Sequence, residues 1–171
     1  TPRPSTGVRD MPDPGPNNEE PAKGLDTAES TTDSDGRQGM SYIGWDWASR
    51  THDVTVLDND GHRQARWAFE HTESGWTSTL HRLRRYGEPH ELPVIIERTS
   101  GLVVDRLLEA GHPVVPVHPA SFYAARPRLG ASGAKSDPGD SYKLADYLRT
   151  DGHRLRRLEP VEPGLRELQA L

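Results

Sequence analysis

The order of short apolar segments is the feature that most constrains how this chain can fold. Three strand-like segments begin at Ser41, and a tight-turn sequence at residues 58–61 (Asp-Asn-Asp-Gly) joins the second segment to the third. Helical and strand patterns then alternate; Trp76, Leu80 and Leu83, for example, recur at helical spacing. The predicted strands cover residues 42–46, 52–57, 63–69, 93–97 and 113–117. The predicted helices cover residues 73–86, 101–110, 120–126 and 138–149.

This order, three strands followed by helix–strand units, indicates an α/β fold. Three consecutive strands form an antiparallel meander, whereas strands that are separated by helices pair in parallel. The expected result is a mixed five-stranded sheet with helices on both faces. This is the layout of the RNase H-like (RuvC-like) fold, which we predict for residues 40–160.

Residues 1–39 differ in composition from the rest of the chain. They contain four basic and eight acidic residues, a net charge of −4, and almost no large apolar side chain. Such a segment buries too little apolar surface to offset the entropy cost of ordering, so we predict a disordered acidic tail. Globular patterning begins at Met40, which we predict to be the natural translation start.

Two absences narrow the class of protein. The sequence has no cysteine, which excludes a disulfide framework and a thiolate zinc site. No apolar run approaches the roughly 20 residues that a membrane span requires. The acidic, proline-rich start does not resemble a signal peptide either, so a soluble cytoplasmic protein is the expectation.

Four acidic residues occupy positions where a metal site can form. Asp46 and Glu97 end the first and fourth predicted strands, whose carboxyl ends lie side by side in an RNase H-like sheet. Asp137 and Asp140 open the last predicted helix and, three residues apart, share one helix face. Converging carboxylates repel one another unless cations neutralise them, and hard oxygen ligands favour Mg²⁺ or Mn²⁺. A site of this kind supports phosphodiester chemistry.

Each of these acids also has a purely structural explanation. Asp46 and Glu97 could face solvent at the ends of their strands. Asp137 as an N-cap, Pro138 at the first helical position and Asp140 at the third are favourable helix-start residues without any metal. The two explanations are compatible, because one carboxylate oxygen can cap a helix while the other binds a cation. The combination of strand-end acids with a helix-start pair favours the metal site.

Several segments carry a family resemblance when they are taken in order. They are residues 42–48 (YIGWDWA), 54–58 (VTVLD) with Gly61, 94–97 (VIIE) with 99–101 (TSG), 135–140 (KSDPGD) and 144–145 (LA). Together they resemble the N-terminal domain of DEDD-type insertion-sequence transposases of the IS110 family. The resemblance covers about residues 41–160, and the K-S-D-x-x-D signature is its most specific part.

The resemblance carries expectations about site, activity and partners. It implies that Asp46, Glu97, Asp137 and Asp140 form a D, E, D, D tetrad that binds divalent metal. It implies a DNA recombinase that is guided by a structured RNA from the element and that assembles as a homo-oligomer. It also implies a composite active site, in which a serine from a separate C-terminal domain attacks the DNA phosphate and becomes covalently linked to it.

The sequence departs from this family pattern at its end. No serine domain follows, and residues 161–171 resemble the beginning of a truncated connecting helix. We therefore expect that this chain alone cannot complete strand exchange.

Basic residues are concentrated between Ala120 and Arg157. This range contains eight basic and four acidic residues, a net charge of +4. A positive stripe of this kind suits DNA phosphates, whereas a solvated helix and loop surface is the alternative explanation for each residue. The residues predicted to bind nucleic acid are Arg126, Arg128, Lys135 and Lys143.

Three other functions compete with a transposase domain. A sugar-kinase or actin-like ATPase fragment shares the three-strand opening, but it needs glycine-rich phosphate loops that this sequence lacks. A non-catalytic module that binds nucleic acid or another subunit would not need the four acids. A stand-alone Holliday-junction-type nuclease would use the acids without a serine nucleophile.

Overall fold

The computed structural model describes residues 39–129 and 139–162, which contain five strands, four α-helices and four short 3₁₀ turns. The strands are β1 (Tyr42–Trp47), β2 (Thr51–Leu57), β3 (Arg63–Glu70), β4 (Val94–Ile96) and β5 (Val114–Pro116). The helices are α1 (Glu73–Leu83), α2 (Leu102–Glu109), α3 (Pro119–Ala125) and α4 (Asp140–Asp151). The 3₁₀ turns are Arg84–Tyr86, Pro89–Glu91, Arg126–Arg128 and Gly152–Arg154.

The strands form one mixed sheet in the order β3-β2-β1-β4-β5. β1 pairs antiparallel with β2 and parallel with β4, and β5 extends the parallel side. The β2–β3 hairpin closes on a turn in which a carboxylate oxygen of Asp58 accepts the backbone N–H groups of Asp60 and His62, at 2.9 and 2.8 Å. The predicted mixed five-stranded sheet of the RNase H-like fold is therefore confirmed.

Each face of the sheet packs against helices. On one face, Trp45 of β1 is fully buried and stacks on Trp76 of α1, with 5.2 Å between the ring centroids. On the other face, Ile95 of β4 forms a core with Phe122 of α3 and Leu144 of α4. Because side chains alternate along a strand, the residues that flank Trp45 in β1 point to the face that α3 and α4 cover.

The start of α4 differs from the prediction. The helix was expected over residues 138–149 with Asp137 as its N-cap, but it spans Asp140–Asp151 and its N-cap is Gly139. Gly139 has a φ of 86°, a left-handed conformation that an α-helix cannot include and that glycine adopts most readily. Asp140 is therefore the first helical residue and not the third, whereas Asp137 and Pro138 lie outside the described residues.

Several predictions fall outside the described residues. They concern the tail at 1–38, the loop that contains Lys135 and Asp137, and the connecting helix after residue 162. Within residues 39–129 and 139–162, no helix combines the length and the apolar character that crossing a membrane requires.

Candidate metal centre

Asp46 and Glu97 lie side by side at the carboxyl ends of two parallel strands. The register pairs Trp45 of β1 with Ile96 of β4, so the next residue on each strand, Asp46 and Glu97, comes at the same level of the sheet. Both acids are partly buried. Strand alternation places both on the face that α4 covers.

Gly44 determines how closely α4 approaches this part of the sheet. A Cβ atom at Gly44 would lie 1.9 Å from the carbonyl oxygen of Ser141 and 2.5 Å from the backbone nitrogen of Ala145. Only a residue without a side chain fits there, because such distances are far below van der Waals contact. Gly44 shares its face with Asp46, and Ser141 follows Asp140. The close approach at Gly44 therefore brings Asp140 towards Asp46.

A buried hydrogen bond fixes the same contact. Thr55 of β2 lies directly opposite Gly44, and its Oγ1 is 2.8 Å from Oγ of Ser141. Both hydroxyl-bearing side chains are fully buried. This pair holds α4 at one position on the sheet, because a shift of α4 would leave both buried hydroxyls without a hydrogen-bond partner.

Electrostatics show that the three acids interact. Burial raises the pKa of Asp46, and the negative charges of Asp140 and Asp53 raise it further. Burial likewise raises the pKa of Glu97, with added contributions from Asp140 and Asp46. Like charges at close range disfavour one another's ionised forms. Asp46, Glu97 and Asp140 are thus close enough to affect one another's charge, although their carboxylate oxygens do not all lie within 4.8 Å of one another. Asp137 lies outside the described residues.

Arg126 supplies positive charge to this acidic group. It follows α3, and its guanidinium forms an ion pair with Oδ1 of Asp140. The pKa values of Asp46 and Glu97 are raised overall, and the positive charge of Arg126 offsets part of that rise in both. The side chain that was predicted to bind nucleic acid therefore lies at the acidic site.

The remaining predicted nucleic-acid residues are distributed around α4. Arg128 donates from its two terminal nitrogens to Asp151 at 2.9 and 3.1 Å, at the opposite end of α4 from Asp140. Lys143 is partly buried within α4, and Lys135 lies outside the described residues. Arg126 and Arg128 thus reach opposite ends of one helix.

Two residues of the site were missed from the sequence. Asp53 of β2 lies directly opposite Asp46, and Nε of Arg66 in β3 donates to both of its carboxylate oxygens at 3.1 Å. The guanidinium of Arg66 also lies beside Gly139, where a Cβ atom would be 3.0 Å from Nη2. The available signal was the alternation of β2, which puts Asp53 on the opposite face from the apolar residue Val54.

A second acidic group lies elsewhere in the fold. In the described part of the chain, one group of three potential metal ligands has its ligand atoms within 4.8 Å of one another, namely Asp58, Asp60 and His62. The predicted acids do not form a group as close as this. Asp58 follows β2 next to the start of β1, whereas Asp46 is near the end of β1. The Asp58 carboxylate accepts hydrogen bonds from backbone N–H groups of the turn, which explains an aspartate at this position without a metal.

Comparison with known proteins places this sequence in a family. The sequence model of a DEDD, IS110-type family described as "Transposase" matches residues 43–171. The mini-circle putative transposase for IS117 of Streptomyces coelicolor is 37% identical over 119 residues, which is 68% of this chain and 29% of that protein. The putative transposase y4uE of Sinorhizobium fredii is 34% identical over 151 residues, which is 86% of this chain and 41% of that protein.

A solved structure is also similar to this chain. The RuvC structure from Thermus thermophilus has a TM-score of 0.48 and 17% sequence identity, and the likeness covers 70% of this chain and all of that one. The chain spans less than half of the length of the two curated relatives, at 29% and 41%. The family match extends over most of the chain and includes Asp46, Glu97 and Asp140. This chain therefore belongs to the IS110-type DEDD transposase family.

Proposed function

We propose that this chain is the metal-dependent catalytic domain of a DNA transposase and acts on DNA phosphodiesters during transposition. In this proposal Asp46, Glu97, Asp137 and Asp140 bind Mg²⁺ or Mn²⁺. The observation that carries it is the seating of α4 on Gly44, which brings Asp140 to the ends of β1 and β4. Asp137 enters through the family resemblance alone.

The donor chemistry of the described acids suits such a cation. Three carboxylates come from three separate segments of the chain, and burial, followed by the charges of neighbouring acids, raises the pKa of both Asp46 and Glu97. Hard divalent cations prefer oxygen ligands and relieve this kind of repulsion. When bound, the cation would polarise a phosphate oxygen and stabilise developing negative charge in phosphodiester chemistry.

The fold of the chain holds the three acids in fixed positions. Asp46 and Glu97 are attached to neighbouring strands of a buried sheet, so their spacing is set before any substrate arrives. Asp140 is attached to α4, whose position depends on the Thr55–Ser141 hydrogen bond. Ligands that are held in place by packing do not need to be ordered on binding.

The partners and the complete reaction belong to the proposal for the whole protein. We propose DNA as the substrate, with reaction in the cytoplasm, where bacterial DNA lies. By family resemblance, the attacking serine, a guide RNA and homo-oligomer assembly complete the reaction. The acidic site proposed here does not depend on the identity of that guide or on the number of subunits.

Metal titration tests the proposal most directly. Calorimetry with Mn²⁺ should detect binding to the 171-residue chain, and Asp46→Ala combined with Asp140→Ala should abolish it or weaken it by about 100-fold. The matched control is Asp58→Asn combined with Asp60→Asn, because these residues form the other acidic group. That control should leave the affinity within about twofold, since Asp58 already accepts two backbone N–H groups of its own turn.

The opposite pattern would contradict the proposal. If the Asp58 and Asp60 variant lost Mn²⁺ binding while the Asp46 and Asp140 variant retained it, the cation site would be the β2–β3 turn. If the chain bound no Mn²⁺ in any form, a non-catalytic role would replace the enzymatic one. Cleavage of branched DNA by this chain alone, abolished by Glu97→Ala, would instead indicate a stand-alone nuclease.

A further inference from the structure

We propose that Arg126 is a built-in counter-ion of the acidic site, which competes with the divalent cation for Asp140 and is released when the cation binds. This inference rests on the proposed metal site. It assigns Arg126 a role that differs from the uniform phosphate-binding stripe expected from the sequence. Arg126 would then set the affinity of the site for metal without being a ligand.

The geometry places Arg126 where the metal is proposed to act. Its guanidinium is paired with Oδ1 of Asp140, the one predicted ligand that α4 contributes in the described part of the chain. The side chains of Arg126 and Asp140 are 35% and 32% exposed, so the pair is shielded without being sealed from solvent. Because the pair is partly exposed, the guanidinium can move towards solvent when it is displaced from Asp140.

The guanidinium of Arg126 has a second contact besides Asp140. Arg126 directly follows α3, and its guanidinium carbon lies 5.7 Å from the ring centroid of Phe122, which is buried in the core between α3 and α4. Because Phe122 belongs to this core and not to the acidic group, its ring offers the guanidinium a partner when the ion pair opens. Arg126 therefore remains next to the site after release.

The shared use of Asp140 explains why one cation would exclude the other. Asp46, Glu97 and Asp140 bring three negative charges together, and the guanidinium offsets one of them. The second nearby guanidinium, on Arg66, is held by Asp53. A divalent cation that used Asp140 as a ligand would lie beside the guanidinium on the same carboxylate, where two positive charges would repel each other. The arginine and the metal thus compete for the carboxylate of Asp140.

A structural role for Arg126 predicts a different outcome. If the Arg126–Asp140 pair only joined α3 to α4, its loss would reduce stability and disturb Asp140, and metal affinity would fall. If Arg126 is a competitor, its loss removes a positive charge from the site, and metal affinity rises. The two roles therefore predict opposite signs for one measurement.

The experiment compares Mn²⁺ affinity in three forms of the 171-residue chain by calorimetry. Arg126→Met removes the charge but keeps an unbranched side chain, and it should tighten Mn²⁺ binding by about tenfold, which is typical of removing one close like charge. Arg128→Met is the matched control. It removes the same charge only two residues along the chain from Arg126, but Arg128 pairs with Asp151 and not with Asp140. It should change the affinity by less than about twofold.

The outcomes separate this inference from the proposed function. If the unmodified chain binds Mn²⁺ and Arg126→Met binds it equally or more weakly, the counter-ion role is wrong and the metal site stands. If neither binds, both proposals fail. Binding by Arg126→Met alone would support both, with Arg126 as a strong competitor.

A measurement on the unmodified chain removes any dependence on how well the variant folds. In an NMR titration with Mg²⁺, the Arg126 Nε–H signal should shift in step with the backbone signals of Asp46 and Glu97, because the guanidinium leaves Asp140. The Arg128 Nε–H signal should stay in place. An unchanged Arg126 signal while Asp46 and Glu97 respond would overturn the inference.

Discussion

Thr55 Oγ1 and Ser141 Oγ lie 2.8 Å apart in the interior of the protein, although 86 residues separate them in the chain. This pair joins the middle of β2 to the first turn of α4. Since Asp140 precedes Ser141, the position of one predicted metal ligand depends on a hydroxyl from a strand that carries no predicted ligand.

We expect Thr55→Val to destabilise the protein by about 1–3 kcal/mol, because Ser141 loses its buried partner while the side-chain shape is kept. Urea unfolding measures the change. The double variant with Ser141→Ala should cost clearly less than the sum of the two single variants, since both remove the same bond. Thr77→Val, at an exposed helical hydroxyl, is the control and should change stability by less than about 0.5 kcal/mol. Additive effects of Thr55→Val and Ser141→Ala would show that the pair is not coupled.

Gly44→Ala should be the most damaging single-methyl substitution at the site. The added Cβ would lie 1.9 Å from the Ser141 carbonyl oxygen, so α4 must move away from β1. We expect a loss of at least about 1–3 kcal/mol, the usual range for overpacking, together with weaker Mn²⁺ binding. Gly39→Ala is the control, because its Cβ would meet only the Asn59 side chain at 3.4 Å. Equal melting temperatures for the two variants would contradict this account.

Asp46→Asn should stabilise the chain when EDTA is present. The pKa of Asp46 is raised in the folded protein, so ionising it costs more there than in the unfolded chain. Stability is therefore fully present below the ordinary pKa of 3.8 and falls as pH rises through the folded value. At pH 7 the asparagine variant should melt at a higher temperature than the unmodified chain. Near pH 3 the gain should vanish.

The same Asp46→Asn variant should lose the stabilisation that Mn²⁺ gives to the unmodified chain, because a ligand has been removed. Thermal melts with EDTA and with Mn²⁺ measure both effects on one sample. A variant that melts lower in EDTA, or that responds fully to Mn²⁺, would contradict the assignment of Asp46.

His52 should make the protein sensitive to acid. Its Nδ1 accepts the indole N–H of Trp45 at 3.0 Å, so the neutral ring carries its proton on Nε2, which is 2.8 Å from Nδ1 of His71. Burial, and then the charge of His71, lower the pKa of His52 from 6.5 to about 4. The unfolded chain thus takes up this proton first as pH falls, and stability is lost from about pH 6.5 down to about 4.

The loss over this window should be on the order of 3 kcal/mol, and urea unfolding at several pH values measures it. His52→Phe serves as the comparison, because a phenyl ring can stack on Phe69 as the imidazole does, with 4.7 Å between ring centroids, but cannot titrate. The variant is expected to be less stable at pH 7, where Trp45 loses its acceptor, and to have a flatter pH profile. Parallel profiles for the two proteins would exclude His52 as the sensitive group.

Much of the fold could be predicted from local pattern. Apolar runs with turn signals between them identified all five strands, and the order of strands and helices identified the mixed sheet. Asp46 and Glu97 stood out because each follows a buried run, and parallel strands end at the same edge. The start of α4 was mispredicted, because the residue types at 137–140 are good capping residues while the backbone at Gly139 takes a positive φ.

The parts of the site that local pattern did not predict depend on contacts between distant segments. Asp53 and Arg66 form their pair across β2 and β3, and each on its own is an ordinary polar residue of a strand. Arg126 was expected to face nucleic acid because its neighbours are basic, whereas the structure pairs it with Asp140. No periodicity indicates which acid a given arginine will reach.

The sequence by itself determined the strand and helix order and the strand-end acids Asp46 and Glu97, because these follow from short-range periodicity and residue type. The family came from the resemblance of its ordered motifs, such as residues 135–140. Only the tertiary structure decided that α4 lies on Gly44, that Thr55 holds Ser141, and that Arg126 faces Asp140. The physical reason is that close packing and charge neutralisation act between surfaces that meet only after folding.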